Sequence, residues 1–300
     1  MMHLEAGFLR GSYPPVITPF RDGRVDLDTF ATLLERQKKG GSHGIVVTGT
    51  TGEPSSLTIT ERCELFRTAI GVLKKRLPVV AATGSQSLAE TLELTNCAEK
   101  LGADAVLVVT PYYIRPPQRG LIQYFVTVAK STSLPLLIYH IPGRTCVSLT
   151  ADSIRRIAEQ APNVVGVKHA ANDLELVSEL LIKVGPDFRI FCGLEALSFP
   201  MMAIGAAGTM NAVANLDPGR VAAICNAVMD GDLARARKMH FELFALNQAI
   251  FRDTNPIPLK YMMARIGLLD SPEVRPPLDT LEERDGAALD VVLRQAGLLA

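Results

Sequence analysis

Short apolar segments recur along most of the chain, and their spacing of roughly 25–30 residues limits the fold more than any other feature of the sequence. Most of them are rich in Val, Ile and Leu, which is typical of strands buried on both faces of a parallel sheet. The segments are residues 15–20, 44–47, 79–82, 105–109, 136–139, 164–167, 189–191 and 208–211. The pattern predicts an α/β protein with a mainly parallel sheet.

Helical patterns lie between these segments. Leu27, Phe30 and Leu34 would line one face of the first helix, and Thr58 and Glu61 have the spacing of a capping box that opens the second. Such β-α units, repeated eight times, predict a (β/α)8 TIM barrel. A doubly wound sheet is the alternative, but it would carry a glycine-rich dinucleotide turn, and the sequence has no G-x-G-x-x-G motif.

The apolar segments stop after residue 211. From about residue 220 to the end, the sequence has the pattern of helices interrupted by prolines at positions 256, 258, 276 and 277. We expect a TIM-barrel catalytic domain over residues 1–230 and a small C-terminal helical extension over residues 231–300.

Composition excludes several classes of partner. Lys and Arg number 31 and Asp and Glu also number 31, so the chain has no electrostatic footprint for nucleic acid or an anionic membrane surface. No apolar run reaches the ~20 residues of a membrane span, and the N-terminus lacks the apolar region of a secretory signal. An odd number of scattered cysteines predicts reduced thiols in a cytoplasmic protein, at positions 63, 97, 146, 192 and 225.

Lys168 is the sharpest candidate for chemistry, because it follows the apolar segment 164–167 at the end of a barrel strand, where TIM barrels carry their active sites. If Lys168 faces inward, Val164 and Gly166 face inward too, and Gly166 would leave room beneath the amine. Desolvation lowers the pKa of a lysine and makes it a nucleophile towards ketones. On spacing alone, a lysine that reaches from the strand end to solvent is an equally good interpretation.

Other polar groups follow neighbouring strands. The phenol of Tyr139 could transfer protons, and the guanidinium of Arg144 could bind a carboxylate. The turn formed by Thr50, Thr51 and Gly52 offers hydroxyls and backbone amides to an anionic ligand. Taken singly, each has a simpler interpretation: a packed tyrosine, a surface arginine, and an ordinary strand-to-helix turn.

His140 and His169 each follow an inward-facing residue, so we expect them to point away from the barrel interior and to meet behind it. Two histidines do not complete a coordination shell, and no third ligand is evident in the sequence. We therefore predict no metal site.

Six motifs, taken together and in order, are highly specific. They lie at residues 49–53 (GTTGE), 102–105 (GADA), 109–113 (VTPYY), 139–145 (YHIPGRT), 166–168 (GVK) and 255–260 (NPIPLK). From about residue 11 to residue 268 the chain resembles the dihydrodipicolinate synthase / N-acetylneuraminate lyase family, and it is most similar to the dihydrodipicolinate synthase branch. The resemblance implies a TIM barrel with C-terminal helices, assembled as a homotetramer of tight dimers.

The resemblance also implies a class I lyase without a cofactor, because the protonated imine itself is the electron sink. Lys168 would form a Schiff base with pyruvate or another 2-oxo acid. Tyr139, Thr50 and Tyr113 would relay protons, with Tyr113 reaching in from the neighbouring subunit.

Four further residues are implied to bind substrate. Thr51 and the amides of its turn, which includes Gly52, would hold the pyruvate carboxylate. Arg144 would guide the incoming acid, and the backbone carbonyl of Met210 would face the Schiff base.

Four positions depart from the synthase pattern: Ile114, His140, His169 and Leu194 stand where Asn, Asn, Glu and Asp are usual. The second substrate is therefore open. The chain could condense pyruvate with an aldehyde, as the synthases do, or act as a catabolic 4-hydroxy-2-oxo acid aldolase or dehydratase. A non-catalytic ligand-sensing barrel is the alternative of another class, and the intact set around Lys168 argues against it.

The site at which lysine inhibits the synthases also differs. Gln86 and Arg62 stand where that pattern has Asn and His, whereas Glu90 and Tyr112 match it. These changes predict weak inhibition by lysine.

Overall fold

Eight parallel strands form a barrel in the computed structural model, which describes residues 1–300. Each strand pairs with the next along the chain from β2 to β8, and β8 pairs with β1. The strands are β1 Gly11–Ser12, β2 Ile45–Val47, β3 Val79–Ala82, β4 Ala105–Val109, β5 Leu136–His140, β6 Val164–His169, β7 Arg189–Cys192 and β8 Gly208–Thr209. The predicted (β/α)8 fold is confirmed.

The first strand lies earlier in the chain than the expected segment 15–20. Pro14 and Pro15 have no N–H group, so they interrupt the hydrogen-bond ladder directly after β1. The barrel still closes past them: the N–H of Val16 donates to the carbonyl of Val46 at 3.0 Å, and the N–H of Val46 donates to the carbonyl of Pro14 at 2.9 Å. Farther on, Phe20–Arg21 pairs with Arg24–Val25 in a small antiparallel hairpin.

Helices alternate with the strands. Thr58 caps α2 in the predicted capping box with Glu61. Nine helices accompany the barrel: α1 Leu27–Lys39, α2 Ile59–Leu73, α3 Leu88–Leu101, α4 Gln118–Lys130, the one-turn α5 Pro142–Thr145, α6 Ala151–Gln160, α7 Leu174–Lys183, α8 Ser198–Ala203 and α9 Pro218–Met229. Four more follow: α10 Leu233–Glu242, α11 Phe244–Ala249, α12 Ile257–Arg265 and α13 Glu283–Gln295. None of the helices combines the length and the apolar character needed to cross a lipid bilayer.

The C-terminal helices share a core with the barrel. The largest apolar cluster fills the space between the strands and their surrounding helices. A second cluster joins Ile17 and Leu33, from the start of the chain, to Leu259, Leu289 and Leu293 near its end. Burial of these side chains fixes the last helices against one end of the barrel.

β6 contains one residue more than its neighbour requires. Leu136 pairs with Val164 but Leu137 pairs with Gly166, so Val165 is the extra residue and turns into the barrel interior. The expectation that Val164 shares the face of Lys168 is therefore wrong, because the alternation restarts after this irregularity.

The glycine of β6 has a different purpose from the one expected. A Cβ atom on Gly166 would lie 2.1 Å from the backbone oxygen of Arg189. Gly166 thus allows the close approach of β7, rather than providing space beneath Lys168.

Two of the cysteines are paired. Cys63 on α2 and Cys97 on α3 form a disulfide, so the expectation of five reduced thiols is wrong for this pair. Their separation of 34 residues gives no indication of the pairing, which arises because α2 and α3 pack side by side. Cys146 is exposed, and Cys192 and Cys225 are buried.

Candidate active site

Lys168 is buried at the end of β6 with 3% of its surface exposed. It pairs in register with Tyr139 of β5, and its amine lies 4.2 Å from the centre of the Tyr139 ring. No carboxylate lies within ion-pairing distance of this amine, which sets it apart from the buried Lys260, whose partner is Glu53. Lys168 therefore points into the barrel, and the interpretation in which it reaches to solvent is wrong.

Gly193 makes space for this lysine. A Cβ atom on Gly193 would lie 2.9 Å from Cε and 3.3 Å from Cγ of Lys168, closer than packed carbons approach. This role was not predicted from the sequence, although a glycine two residues after the predicted strand 189–191 was an available sign.

Two hydroxyl groups meet beside the amine. The Oγ1 atom of Thr50 lies 3.2 Å from the phenol oxygen of Tyr139. Thr50 begins the 3-10 turn Thr50–Gly52, which follows β2. In the order of the eight strands β2 lies opposite β6, so Thr50 and Lys168 come from opposite sides of the barrel. The phenol thus has a hydroxyl partner and a neighbouring amine, which is an arrangement able to pass a proton.

The turn that carries Thr50 is held from two directions. Asn255 donates from Nδ2 to Oγ1 of Thr51 at 3.0 Å, and Thr18 donates from Oγ1 to the carbonyl of Gly52 at 2.7 Å. Asn255 belongs to the C-terminal part of the chain and was not among the predicted site residues. Its place in the motif at residues 255–260 was the available indication.

Glu53 and Lys260 form a buried ion pair just behind this turn. The Lys260 amine lies 2.5 Å from Oε1 of Glu53, donates to the carbonyl of Glu273 at 2.7 Å, and stands 4.2 Å from the Phe20 ring centre. Burial lowers the pKa of Lys260 to about 8, while the charge of Glu53 acts in the opposite direction. The pair ties the turn to the C-terminal helices.

Most of the candidate residues surround one cavity of about 220 Å³. Arg144 and Met210 line it together with Leu194, while Gly52 lies next to it in the turn. Its lining residues are Pro15, Thr50, Thr51, Tyr139, Ile141, Gly143, Arg144, Lys168, Ala170, Gly193, Leu194, Glu195, Met210, Ala212, Phe251 and Asn255. A second chamber of about 540 Å³ shares Thr50, Tyr139 and Arg144 with it, so the two adjoin at these side chains.

Tyr113 and Ile114 are the exceptions. Tyr113 is 84% exposed on the loop after β4, with a left-handed backbone φ of 74°, and Ile114 is 69% exposed. Neither lines the cavity that this chain builds around Lys168. Of the two apolar departures from the synthase pattern, Ile114 and Leu194, only Leu194 lines this cavity.

Comparison with known proteins agrees with the motifs. Residues 8–296 match the model of the dihydrodipicolinate synthetase family. A 4-hydroxy-tetrahydrodipicolinate synthase of Thermus thermophilus is 48% identical over 270 residues, which is 90% of each chain. This chain belongs to the dihydrodipicolinate synthetase family.

Solved structures give the same result. The crystal structure of dihydrodipicolinate synthase from Aquifex aeolicus superposes with a TM-score of 0.95 at 36% identity, covering 96% of this chain and 98% of that one. The chloride-inhibited dihydrodipicolinate synthase from Acinetobacter baumannii, complexed with pyruvate, has a TM-score of 0.94 at 36% identity and covers 97% and 100%. The expectation of a Schiff-base-forming lyase of this family is confirmed, and the synthase interpretation is favoured over the alternatives.

The two histidines that depart from the family pattern form a buried stacked pair. The N–H of Leu149 donates to Nε2 of His140, so His140 carries its proton on Nδ1. This proton is donated to Nδ1 of His169 at 3.1 Å, and Nε2 of His169 donates to the carbonyl of Asp173 at 2.9 Å. The expectation that they meet behind the barrel is confirmed. No group of three or more His, Cys, Asp or Glu side chains could hold a metal ion.

Acidification is expected to destabilise the protein through this pair. Burial lowers the pKa of His140 to about 4 and also lowers that of His169, whereas an unfolded histidine titrates near pH 6.5. Between these values the unfolded chain binds more protons, so the free energy of unfolding falls as pH decreases, by up to about 1.4 kcal/mol per pH unit for each group. Urea unfolding at several pH values measures this slope. His140→Asn should reduce the pH dependence of the free energy of unfolding. An unchanged pH dependence in that variant would contradict the role given to His140.

The second chamber is lined by Arg62, Gln86, Glu90 and Tyr112, the four positions that the resemblance matches to the lysine site of the synthases. Arg62 is buried there, donates from Nη2 to the carbonyl of Ala82 at 2.7 Å, and lies 3.6 Å from Glu90. Ser85 also donates to Glu90, at 2.7 Å. Glu90, the acid that could receive an ammonium group, is thus already engaged.

Lysine is expected to inhibit this protein weakly or not at all. Its ammonium group would meet Arg62, and a like charge at short range costs about 1 kcal/mol or more when partly desolvated, which is close to tenfold in affinity. Gln86 is also one methylene longer than the usual Asn. Lysine titrated against pyruvate turnover, with binding followed by calorimetry, tests this. Half-inhibition at submillimolar lysine would contradict it, and Arg62→His should increase the sensitivity.

Proposed function

We propose that this protein is a 4-hydroxy-tetrahydrodipicolinate synthase, which condenses pyruvate with an aldehyde through a Schiff base on Lys168. The observation that carries the proposal is the buried amine of Lys168, which has no carboxylate partner and lies 4.2 Å from the ring centre of Tyr139 in a cavity. The similarity to the synthase of Thermus thermophilus supports this reaction over cleavage or dehydration of another 2-oxo acid.

The reaction would begin when the Lys168 amine attacks the ketone carbon of pyruvate. The hydroxyls of Tyr139 and Thr50, 3.2 Å apart, would pass the proton that lets the ketone oxygen leave as water. The resulting iminium withdraws electrons from the adjacent methyl group, which loses a proton, and the enamine attacks the aldehyde carbon. The positive charge of the iminium serves as the electron sink throughout.

Four groups would position the substrates. The hydroxyl of Thr51 and the amides of the turn at Gly52 would bind the pyruvate carboxylate. The guanidinium group of Arg144, which lines both chambers, would bind the carboxylate of the aldehyde substrate. The backbone carbonyl of Met210 would face the Schiff base.

Tyr113 would act in a neighbouring subunit. Its exposed ring and the exposed side chain of the adjoining Ile114 support an assembly, which we take to be a cytoplasmic homotetramer built as a dimer of dimers. Within each subunit, residues 1–230 would form the catalytic barrel and residues 231–300 the helical extension.

Reductive trapping tests the proposal directly. Borohydride added in the presence of pyruvate should fix one adduct on the peptide that carries Lys168. Lys260 is a built-in control, since it is buried too but paired with Glu53. An unchanged mass, or label on Lys260 instead, would overturn the assignment. A panel of aldehydes, assayed by pyruvate consumption, then identifies the second substrate.

Tyr139→Phe is expected to lower the turnover rate by about 10²–10³, the usual contribution of a positioned proton shuttle. The change keeps the ring and removes only the hydroxyl that contacts Thr50, so the thermal unfolding temperature should change little. Steady-state kinetics measures the effect, with Tyr261→Phe, on α12, as the matched control. A Tyr139→Phe rate within about twofold of the wild type would exclude the phenol from the proton path.

A further inference from the structure

Glu195 is the one carboxylic acid among the residues that line the cavity around Lys168. It begins the 3-10 turn Glu195–Leu197 after β7, and 2% of its surface is exposed. Removing a carboxyl group from water is unfavourable unless other groups compensate. The steps proposed above do not use this acid, although it lines the same cavity as Lys168.

The carboxyl group is fixed in place by the loop after β8. Oε1 of Glu195 accepts the N–H of Ala212 at 2.6 Å. Ser198 donates from Oγ to the backbone carbonyl of Glu195 at 2.8 Å, and Asn211 donates from Nδ2 to Ser198 at 2.5 Å. Because Asn211 and Ala212 directly follow Met210, the acid is fixed relative to the strand ends on one side of the cavity.

The other carboxyl oxygen is left without a partner. Oε2 of Glu195 is buried and makes no hydrogen bond. Burial raises the pKa of this carboxyl to about 7, while the N–H of Ala212 and the positive charge of Lys168 lower it. The acid can therefore change its charge near neutral pH, and that change is coupled to the charge on Lys168.

Few other charges face this acid. Lys168 approaches from β6, and the thiol of Cys192 lies on β7, where burial raises its pKa to about 12 and keeps it neutral. Helix α11, which packs on the turn, has no titratable side chain. Tyr139 and Arg144 line the same cavity. Lys168 is thus the facing group whose charge changes during the proposed reaction.

We propose that Glu195 is a positioning residue for the imine on Lys168, releasing a proton as the imine forms and then balancing the charge of the imine nitrogen as a carboxylate. This inference rests on the proposed function. The proposed role explains why the Oε2 atom of Glu195 is buried without a hydrogen-bond partner. As an ionised carboxylate in a dry cavity, it would be stabilised by the cationic imine.

The proton and charge balance of this step is complete. The amine of Lys168 forms a bond to the ketone carbon, and the ketone oxygen leaves as water. One hydrogen of that water comes from the amine, and the second, in net terms, is the proton that Glu195 loses. Only the unprotonated form of the amine has the lone pair that attacks the ketone. Starting from that form and the neutral acid, the step gives an iminium and a carboxylate, so the net charge of the cavity stays constant in a region where an unbalanced charge is costly.

The pH dependence of imine trapping tests the inference. At saturating pyruvate, the borohydride-trapping rate of the wild type should show an inflection near pH 7. Glu195→Gln keeps an oxygen for the N–H of Ala212 but cannot ionise. It should trap more slowly, by about ten- to a hundredfold, and should lack the inflection. A Gln variant with the wild-type profile would overturn the inference.

Two further variants separate charge from structure. Glu195→Asp restores an ionisable acid and should restore an inflection, and Ser198→Ala loosens the turn without touching the carboxyl and should keep it. If Glu195→Gln does not fold, the Asp variant decides, because an absent inflection there would overturn the inference. Failure of the wild type to trap at any pH would instead overturn the proposed function.

Discussion

Lys168→Met is expected to reduce turnover by roughly 10⁵–10⁶, the scale of loss that follows removal of the nucleophile from an enzyme that works through a covalent intermediate. Methionine keeps most of the apolar stem that packs against Gly193, so the cavity wall should survive the change. Only the atom that forms the bond to substrate is lost. Steady-state kinetics and borohydride trapping on the same preparation measure the effect.

Lys100→Met is the matched control, because Lys100 is exposed in the last turn of α3. It should keep wild-type turnover, and both variants should unfold at nearly the wild-type temperature. A Lys168→Met protein that retains activity within about a hundredfold of the wild type would mean that catalysis does not pass through an imine at this position.

Lys260→Met is expected to lower the free energy of unfolding by about 3–5 kcal/mol, since breaking a buried ion pair leaves the other charge uncompensated. Here the group left behind is the carboxylate of Glu53, in a place where Lys260 is fully buried. Turnover should fall too, because Glu53 directly follows the turn that presents Thr50. Chemical denaturation measures the stability, and kinetics on the folded fraction measures the second effect.

The double variant Glu53→Gln with Lys260→Met distinguishes a charge effect from a packing effect. If the stranded carboxylate causes the loss, neutralising it should recover about half of the lost stability or more. Equal losses in the single and double variants would assign the effect to the volume of the lysine side chain. A single-variant loss below about 1 kcal/mol would show that the pair is not held as tightly as its geometry indicates.

The barrel and its nucleophile could be predicted from the sequence because both depend on local pattern. Seven of the apolar segments coincide with strands to within a few residues, since a strand buried on both faces needs a continuous apolar run. Lys168 follows one of these runs directly. The apolar run 15–20 did not predict the first strand correctly, because Pro14 and Pro15 at its start have no N–H group to donate to a strand ladder.

Other features depend on contacts between distant parts of the chain. The extra residue at Val165 shifts the register against β5, and this cannot be recognised from β6 alone. Gly193 and Gly166 look alike in sequence, yet one faces the stem of Lys168 and the other the backbone of β7. The place of Glu195 in the site could not be predicted from the sequence, because only the fold brings this residue to the cavity that Lys168 lines.

The apolar cluster shared by the two ends of the chain determines the order in which the molecule can be completed during synthesis. Ile17 and Leu33 leave the ribosome early, but Leu289 and Leu293, which belong to the same cluster, are made more than 250 residues later. A nascent chain ending near residue 230 would therefore keep apolar surface in contact with water, where it can associate with other unfinished chains. Only α13, which carries Leu289 and Leu293, covers that surface, so a ribosome that stalls before this helix leaves an aggregation-prone barrel rather than a smaller enzyme.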